Sequence, residues 1–179
     1  MLIDGAVLTQ QSTVPVLIES ELGLLNLNRS SGRIDAAGAL TLRGVDVLLD
    51  GPINSSFDNG AADLGTGNQE VRVIAQRDAL LRGNLAAAKD ILIKAGGTAE
   101  FYDNVLSAST LKIEAAAAFF GSPVSAASSS QKGSRIEVVD NLRLDVGTLG
   151  VHAGALLVSK GINSDITMNA ANEIGRAHV

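Results

Sequence analysis

Four aspartates, Asp78, Asp90, Asp103 and Asp140, are the carboxylates whose neighbours could support acid–base chemistry. Polysaccharide-cleaving enzymes use paired carboxylates that lie on one face. Each aspartate here lies beside a turn signal, at a different phase of the repeat described below, so turn capping and solvation explain them. We therefore predict no catalytic residues.

The histidines give no stronger indication of a catalytic or metal site than the aspartates do. His152 and His178 are the only two in the chain, and there is no cysteine, so a thiolate nucleophile and a thiolate metal site are excluded. His152 follows Val151 in an alternating segment and is predicted to point outward from a strand. No nucleophile-elbow motif accompanies it.

One polar segment is the candidate for metal or phosphate binding. Asp58, Asn59 and Asp63 could hold calcium, but the repeated glycine- and aspartate-rich pattern of calcium-binding β-rolls is absent. Gly65–Gly67 lies inside the same segment and is interpreted as a turn. We predict no metal site and no cofactor.

Composition limits the classes of partner. The chain has 179 residues, a formal net charge of −5 and a pI of about 4.9, which argues against nucleic acid and anionic membranes. No apolar run is long enough to span a membrane. Aromatic residues make up only 3%, so the core must be built from small aliphatic side chains.

The elements that must position any site repeat along the chain. Gly83–Ala95 and Asp103–Ala115 carry one pattern 20 residues apart. A fixed period of this size indicates stacked repeats. The matched pairs are Leu85 and Val105, Ile91 and Leu111, Ile93 and Ile113, and Ala95 and Ala115.

The repeat extends as a series of apolar–x–apolar strands in which one face points inward. The series predicts that Ile91 stacks between Val71 and Leu111 on one inner wall. A weaker copy is predicted at 22–24 and a partial one at 166–168. The predicted strands are Leu40–Leu42, Val71–Val73, Ile91–Ile93, Leu111–Ile113, Ile136–Val138 and Leu156–Val158.

A second apolar position follows each of these strands after a turn. Two polar insertions, near 54–68 and 125–134, follow matching turns that contain glycine and proline, Asp50–Ile53 and Gly121–Val124, and are predicted to leave the same corner of the coil. Gly32, Gly51 and Gly83 precede this position by two residues and are predicted to supply the backbone angles of a corner. The second positions are Ile34, Ile53, Leu85, Val105, Val124 and Leu149.

These features predict an all-β, single-domain β-solenoid over residues 1–173. We expect about 20 residues per coil, roughly three short strands per coil and six to seven coils. A helical alternative remains open for Leu85–Lys94 and Glu114–Phe120, where alanine is dense. Phe119 and Phe120 are predicted to fill the core at the edge of a coil.

Three segments resemble the repeats of filamentous haemagglutinin-type exoproteins: Gly32–Leu42, Gly83–Ala95 and Lys160–Ala170. The resemblance implies a right-handed parallel β-helix. It also implies a very large bacterial surface protein, secreted by a two-partner system and acting in adhesion or inter-bacterial contact.

The C-terminal residues 174–179 resemble a translated sequencing adapter, so we predict a non-native tail on a fragment of a longer protein. The N-terminus carries no signal-peptide pattern.

The preferred hypothesis is a non-catalytic, structural or adhesive spacer of a secreted or cell-surface bacterial exoprotein. Its expected partners are a host-cell or bacterial surface receptor or glycan, and an outer-membrane transporter during export. The alternatives are a carbohydrate-active β-helix enzyme or binding module, and an autotransporter passenger segment.

Overall fold

The chain passes repeatedly from one parallel sheet to a second in the computed structural model. The structure describes residues 1–4, 7–10, 14–28, 32–55, 70–102, 105–121, 133–152 and 154–174. Over these residues it is all-β, with no helix, which confirms the predicted class and rules out the helical alternative there. Because the chain returns to each sheet in turn, each pass through both forms one coil of a column, consistent with a β-solenoid.

The larger sheet, sheet A, holds the longer strands. They are β1 Leu2–Ile3, β3 Val16–Leu27, β5 Leu40–Leu49, β7 Val71–Ala75, β8 Ala79–Leu81, β10 Asp90–Phe101, β12 Thr110–Phe120, β14 Leu142–Val151 and β16 Ile166–Ile174. Across the sheet the order is β1, β3, β5, β7, β10, β12, β14 and β16, and β8 lies between β5 and β10.

Sheet B holds the short strands that close each coil. They are β2 Val7–Gln10, β4 Arg33–Ala36, β6 Ile53–Asn54, β9 Leu85–Ala86, β11 Val105–Ala108, β13 Arg135–Val138 and β15 Leu156–Ser159. They pair in chain order, all parallel. In the coil 71–90, β7, β8 and β9 are the three short strands that were predicted.

The core lies between the two sheets as rows of stacked aliphatic side chains. Ile91 pairs with Val71 on one side and Leu111 on the other, as predicted. All three are at most 1% exposed. Alternation on a half-buried strand places every second side chain inside, and the 20-residue spacing places equivalent side chains above one another.

The predicted register is wrong beyond the second insertion. Leu142–Leu144, not Ile136–Val138, pairs with Leu111–Ile113 in sheet A. Ile136–Val138 and Leu156–Val158 belong to sheet B, which carries the same alternation. The reason is that this coil, like the one from Leu40 to Val71, has 31 residues, so a spacing of 25 ends on the opposite sheet.

The structure also differs from three smaller predictions about which residues pair. The copy at 22–24 is wrong, because Val16–Ile18 pairs with Leu40–Leu42 and Leu22 is 96% exposed. In sheet B, Leu106 rather than Val105 pairs with Leu85. Leu149 lies in sheet A beside Ala118. Ile34, Ile53 and Leu85 do stack in sheet B as predicted, and Val124 lies outside the described residues.

The two insertions do not leave one corner. The first joins sheet B to sheet A, from β6 to β7, whereas the second joins sheet A to sheet B, from β12 to β13.

The corner glycines are needed for a different reason from the one predicted. Among the described glycines only Gly121 and Gly154 have positive φ. At Gly51 and Gly83 a Cβ atom would instead meet backbone of the neighbouring coil.

Candidate functional site

The outer face of sheet A gathers charged side chains from successive strands. Alternation points Lys94 of β10, Lys112 and Glu114 of β12, and Arg143 and Asp145 of β14 away from the core. Register places Lys94 beside Glu114, Glu114 beside Asp145, and Lys112 beside Arg143. These five residues, with Asn169 of β16, are called the charged ladder.

Glu114 lies at the centre of the charged ladder. Its carboxylate contacts Lys112 Nζ at 2.5 Å and Lys94 Nζ at 3.2 Å. The hydrogen bond from Lys112, followed by the one from Lys94, lowers the pKa of Glu114. Glu114 is therefore held ionised near neutral pH.

Asp145 is ionised for the same reason on the next strand. Arg143 Nε donates to Asp145 Oδ2 at 2.7 Å, and Asn169 Nδ2 donates to Oδ1 at 2.7 Å. These two hydrogen bonds, with Arg143 the larger contribution, lower the pKa of Asp145, and the carboxylate in turn raises the pKa of Arg143. Lys112 Nζ lies 3.8 Å from Asp145 and links the two halves of the ladder.

The charged ladder contains a pair of carboxylates, Glu114 and Asp145, but neither is suited to act as a general acid. Glycoside hydrolysis needs one carboxyl whose pKa is raised so that it can protonate the leaving group. The pKa values of both Glu114 and Asp145 are lowered. As arranged here, the pair favours charge pairing across coils over proton transfer.

The sequence-predicted candidates are used elsewhere in the fold. Asp78 Oδ1 accepts a hydrogen bond from the Thr98 N–H at 2.7 Å, which ties two coils together at a corner. Asp140 accepts one from Ser109 Oγ. Asp90 is the exposed first residue of β10. The turn role predicted for Asp78 and Asp140 agrees with these contacts.

His152 lies one residue beyond β14 and is half-buried. Its ring stacks on Phe119, with centroids 6.2 Å apart and planes at 21°. Phe119 points outward, whereas Phe120 is fully buried, so the predicted core role holds for Phe120 alone. The candidates Asp103, Asp58, Asn59, Asp63, Gly65–Gly67 and His178 lie outside the described residues.

A pocket of about 170 Å³ lies elsewhere on the column, between Pro15, Thr41 and Glu70. Its one cation, Arg72, already holds Glu70 through two hydrogen bonds of 2.8 and 2.9 Å. The volume is below the range of about 300–1,000 Å³ that is usual for small-molecule sites. Within the described ranges no group of three or more metal-ligating side chains occurs, and no helix could cross a membrane.

Sequence reasoning missed the charged ladder because of the register error after Lys112. Placing Ile136 beside Leu111 puts Glu137 in line with the ladder, where the structure has Arg143. Glu137 instead belongs to a smaller charge cluster on sheet B, with Arg135 and with Lys160 Nζ at 2.5 Å. The available signal was the alternation at Leu142–Leu144, which equals that of Leu111–Ile113.

The fold and this surface define an all-β protein of stacked parallel strands with a charge-paired outer face. Comparison of the chain with family models, with curated proteins and with solved structures finds no match. The likeness to haemagglutinin-type repeats therefore stays a hypothesis.

The charged ladder makes stability depend on acidic pH. The folded pKa values of Glu114 and Asp145 lie below their ordinary values of 4.5 and 3.8, so the stabilisation is present above those values. It is lost as pH falls through the lowered pKa values. We expect the free energy of unfolding to decrease as the pH falls below about 5.

Denaturant titrations at a series of pH values measure this effect. Glu114→Gln should flatten the decrease, because one of the titrating pairs is gone. The matched control is Glu21→Gln, since Glu21 is exposed and makes no ion pair with any described residue. Equal slopes for Glu114→Gln and the wild type would contradict the assignment.

Proposed function

We propose that this chain is a non-catalytic spacer segment, structural or adhesive, of a large secreted or cell-surface bacterial exoprotein. The observation that carries the proposal is the repetition of the coil: Val71, Ile91 and Leu111 occupy equivalent positions 20 residues apart. Each coil buries its apolar row only against its neighbours, so the column is extended by adding coils and needs no central pocket.

The outer surface supports the same proposal. In the charged ladder each carboxylate is neutralised by cations on its own or a neighbouring strand, and the pKa values of both Glu114 and Asp145 are lowered, so neither is suited to act as a general acid. A charge-paired, solvated outer face of this kind fits a structural role, in which the length of the column is the functional property.

The finer architecture is part of this proposal. Parallel strands in one sheet are connected with a right-handed crossover in about 98% of cases, so we propose a right-handed parallel β-helix. The partners that follow are a surface receptor or glycan and, during export, an outer-membrane transporter, as the resemblance to haemagglutinin-type repeats implies.

Deletion of one whole coil tests the spacer. Removing residues 91–110 brings Leu111 beside Val71, and we expect the chain to fold with the column shortened by about 4.8 Å. Spin labels on Thr41 and Thr167, both on the outer face of sheet A, measure the shortening by pulsed electron paramagnetic resonance. Chemical denaturation measures whether folding stays cooperative.

The control deletion removes residues 91–100, which cuts β10 and leaves a half coil that cannot bury its row. We expect this variant to unfold. If both deletions are equally disruptive, the coils are not interchangeable units and the spacer proposal fails.

A carbohydrate-active enzyme is the second candidate, because the charged ladder draws side chains from four adjacent strands. The assay is cleavage of a polysaccharide panel by the wild type and by Glu114→Gln. If the wild type cleaves a polysaccharide and Glu114→Gln does not, the enzyme hypothesis replaces the spacer hypothesis. If neither chain cleaves any polysaccharide, the result supports the spacer hypothesis.

A further inference from the structure

The described aromatic residues that lie outside the core are gathered at one place on the outer face of sheet A. Phe101 and Phe120 form a stacked pair inside the column. The other two aromatic residues in the described ranges are Tyr102, directly after β10, and Phe119, which faces outward from β12. Register pairs Phe119 with Glu100, and Glu100 is the hydrogen-bond partner of Tyr102.

His152 adds a third ring at this place, from the end of β14. Its ring stacks on Phe119, with centroids 6.2 Å apart and planes at 21°. Because the two planes are nearly parallel, the two rings turn their faces in the same direction. Glu100, Tyr102, Phe119 and His152 are called the aromatic patch. All four are half-buried, so each leaves part of its side chain open to solvent.

Gly150 gives the two rings room against the wall of the column. It faces outward between the core residues Leu149 and Val151 and pairs with Phe119, yet it is buried. A Cβ atom on Gly150 would overlap Phe119 Cδ1, and would lie 2.9 Å from Phe119 Cε1 and 3.5 Å from His152 Nε2. Both rings therefore cover Gly150, and any side chain at this position would displace them.

Polar groups lie beside the ring faces. The Tyr102 hydroxyl donates to Glu100 Oε2 at 2.7 Å. Burial, followed by this hydrogen bond, raises the pKa of Tyr102 to about 12, so the hydroxyl keeps its proton near neutral pH. Glu100 Oε1 accepts no hydrogen bond from any described residue. The nitrogens of His152 can donate or accept.

We propose that the aromatic patch binds the sugar rings of a neutral glycan. The apolar C–H face of a pyranose packs against an aromatic ring, while its hydroxyl groups point sideways to hydrogen-bonding partners. Phe119 and His152 supply the ring faces, and Glu100 Oε1 accepts a hydrogen bond from a sugar hydroxyl. Aromatic side chains with a few placed polar groups are the usual composition of ligand sites.

Charge and spacing define the kind of glycan. Glu100 makes no ion pair with a described residue, and the chain has a net charge of −5, so sulphated or carboxylated glycans are repelled. Neighbouring strands lie about 4.8 Å apart, close to the length of one pyranose unit. An extended glycan that runs along the column therefore places successive units on β10, β12 and β14. Glycan binding here rests on the proposed function, since it makes the spacer adhesive and names the coils that bind.

Affinity electrophoresis of the purified chain tests the proposal. The neutral probes are laminarin, galactomannan and dextran, and the anionic probes are heparin and polygalacturonate. At least one neutral probe should retard the wild type, and neither anionic probe should. Phe119→Ala and Glu100→Gln should each weaken the binding about tenfold. Leu17→Ala removes an exposed, outward apolar side chain elsewhere on sheet A and should bind like the wild type.

Glu100→Gln keeps the size of the side chain, so it decides the test if circular dichroism shows that Phe119→Ala is unfolded. A wild type that no neutral probe retards, or variants that bind as well as the wild type, would overturn the proposal. Sedimentation that shows self-association of the wild type but not of Phe119→Ala would overturn it too, because the patch would then bind a second copy. The coil deletion measures length and cooperativity, which Glu100→Gln leaves unchanged, so spacer and glycan site can fail separately.

Discussion

Replacing Gly83 by alanine is expected to lower the free energy of unfolding by about 3 kcal/mol. A Cβ atom on Gly83 would lie 2.0 Å from the carbonyl oxygen of Gly51 and 2.6 Å from its carbonyl carbon. Both are backbone atoms of the adjacent coil, and Gly83 N–H is itself hydrogen-bonded to the Leu49 carbonyl at 2.8 Å. The clash can be relieved only by separating the coils.

Gly23→Ala is the matched control. A Cβ atom there meets nothing within 4 Å, so we expect a change within about 0.5 kcal/mol. Urea or guanidinium titration gives both values. If Gly83→Ala is as stable as Gly23→Ala, the close approach of coils at this corner does not exist as described.

The second large effect is expected at the aromatic pair inside the column. Phe101 and Phe120 lie on adjacent strands of sheet A, are fully buried, and stack with ring centroids 4.8 Å apart and planes at 11°. Phe120→Ala should cost about 4 kcal/mol, because the stacked coils hold the cavity open. Chemical denaturation measures the loss.

Phe119→Ala provides the comparison from the next residue. Phe119 faces outward and is half-buried, so its truncation should cost about 1 kcal/mol. In a double-mutant cycle, Phe101 and Phe120 should couple by about 1 kcal/mol. Equal losses for Phe119→Ala and Phe120→Ala would show that the inward and outward assignments are wrong.

These two sites differ in how far the sequence alone could reach them. Strict alternation from Leu111 and Ile113 would place Phe119 inward, but the burial pattern changes phase between Ile113 and Ala118, so only the tertiary structure shows that Phe120 is the core residue. The need for glycine at Gly83 was predicted, but from backbone angles. Its physical reason is the distance to a residue 32 positions earlier, which no local pattern encodes.

The link between the two halves of the charged ladder was out of reach for a similar reason. Lys112 and Glu114, and likewise Arg143 and Asp145, lie two residues apart on the outward face of one strand, so each of these pairs depends on local pattern alone. The contact between Lys112 and Asp145, which joins the two strands, depends on the register across a 31-residue coil. The 20-residue period does not predict how many residues an insertion adds. The register after an insertion is therefore set by which apolar row becomes buried.

The sequence by itself determined what depends on local pattern: strands with one apolar face, and two uninterrupted 20-residue repeats that bring Val71, Ile91 and Leu111 into one row. Tertiary structure alone decided which strands follow the insertions, which corners have no room for a Cβ atom, and which charges meet. The physical reason is that period and alternation are properties of neighbouring residues. Contacts between coils join residues 19 to 32 positions apart, and only packing of the whole column selects them.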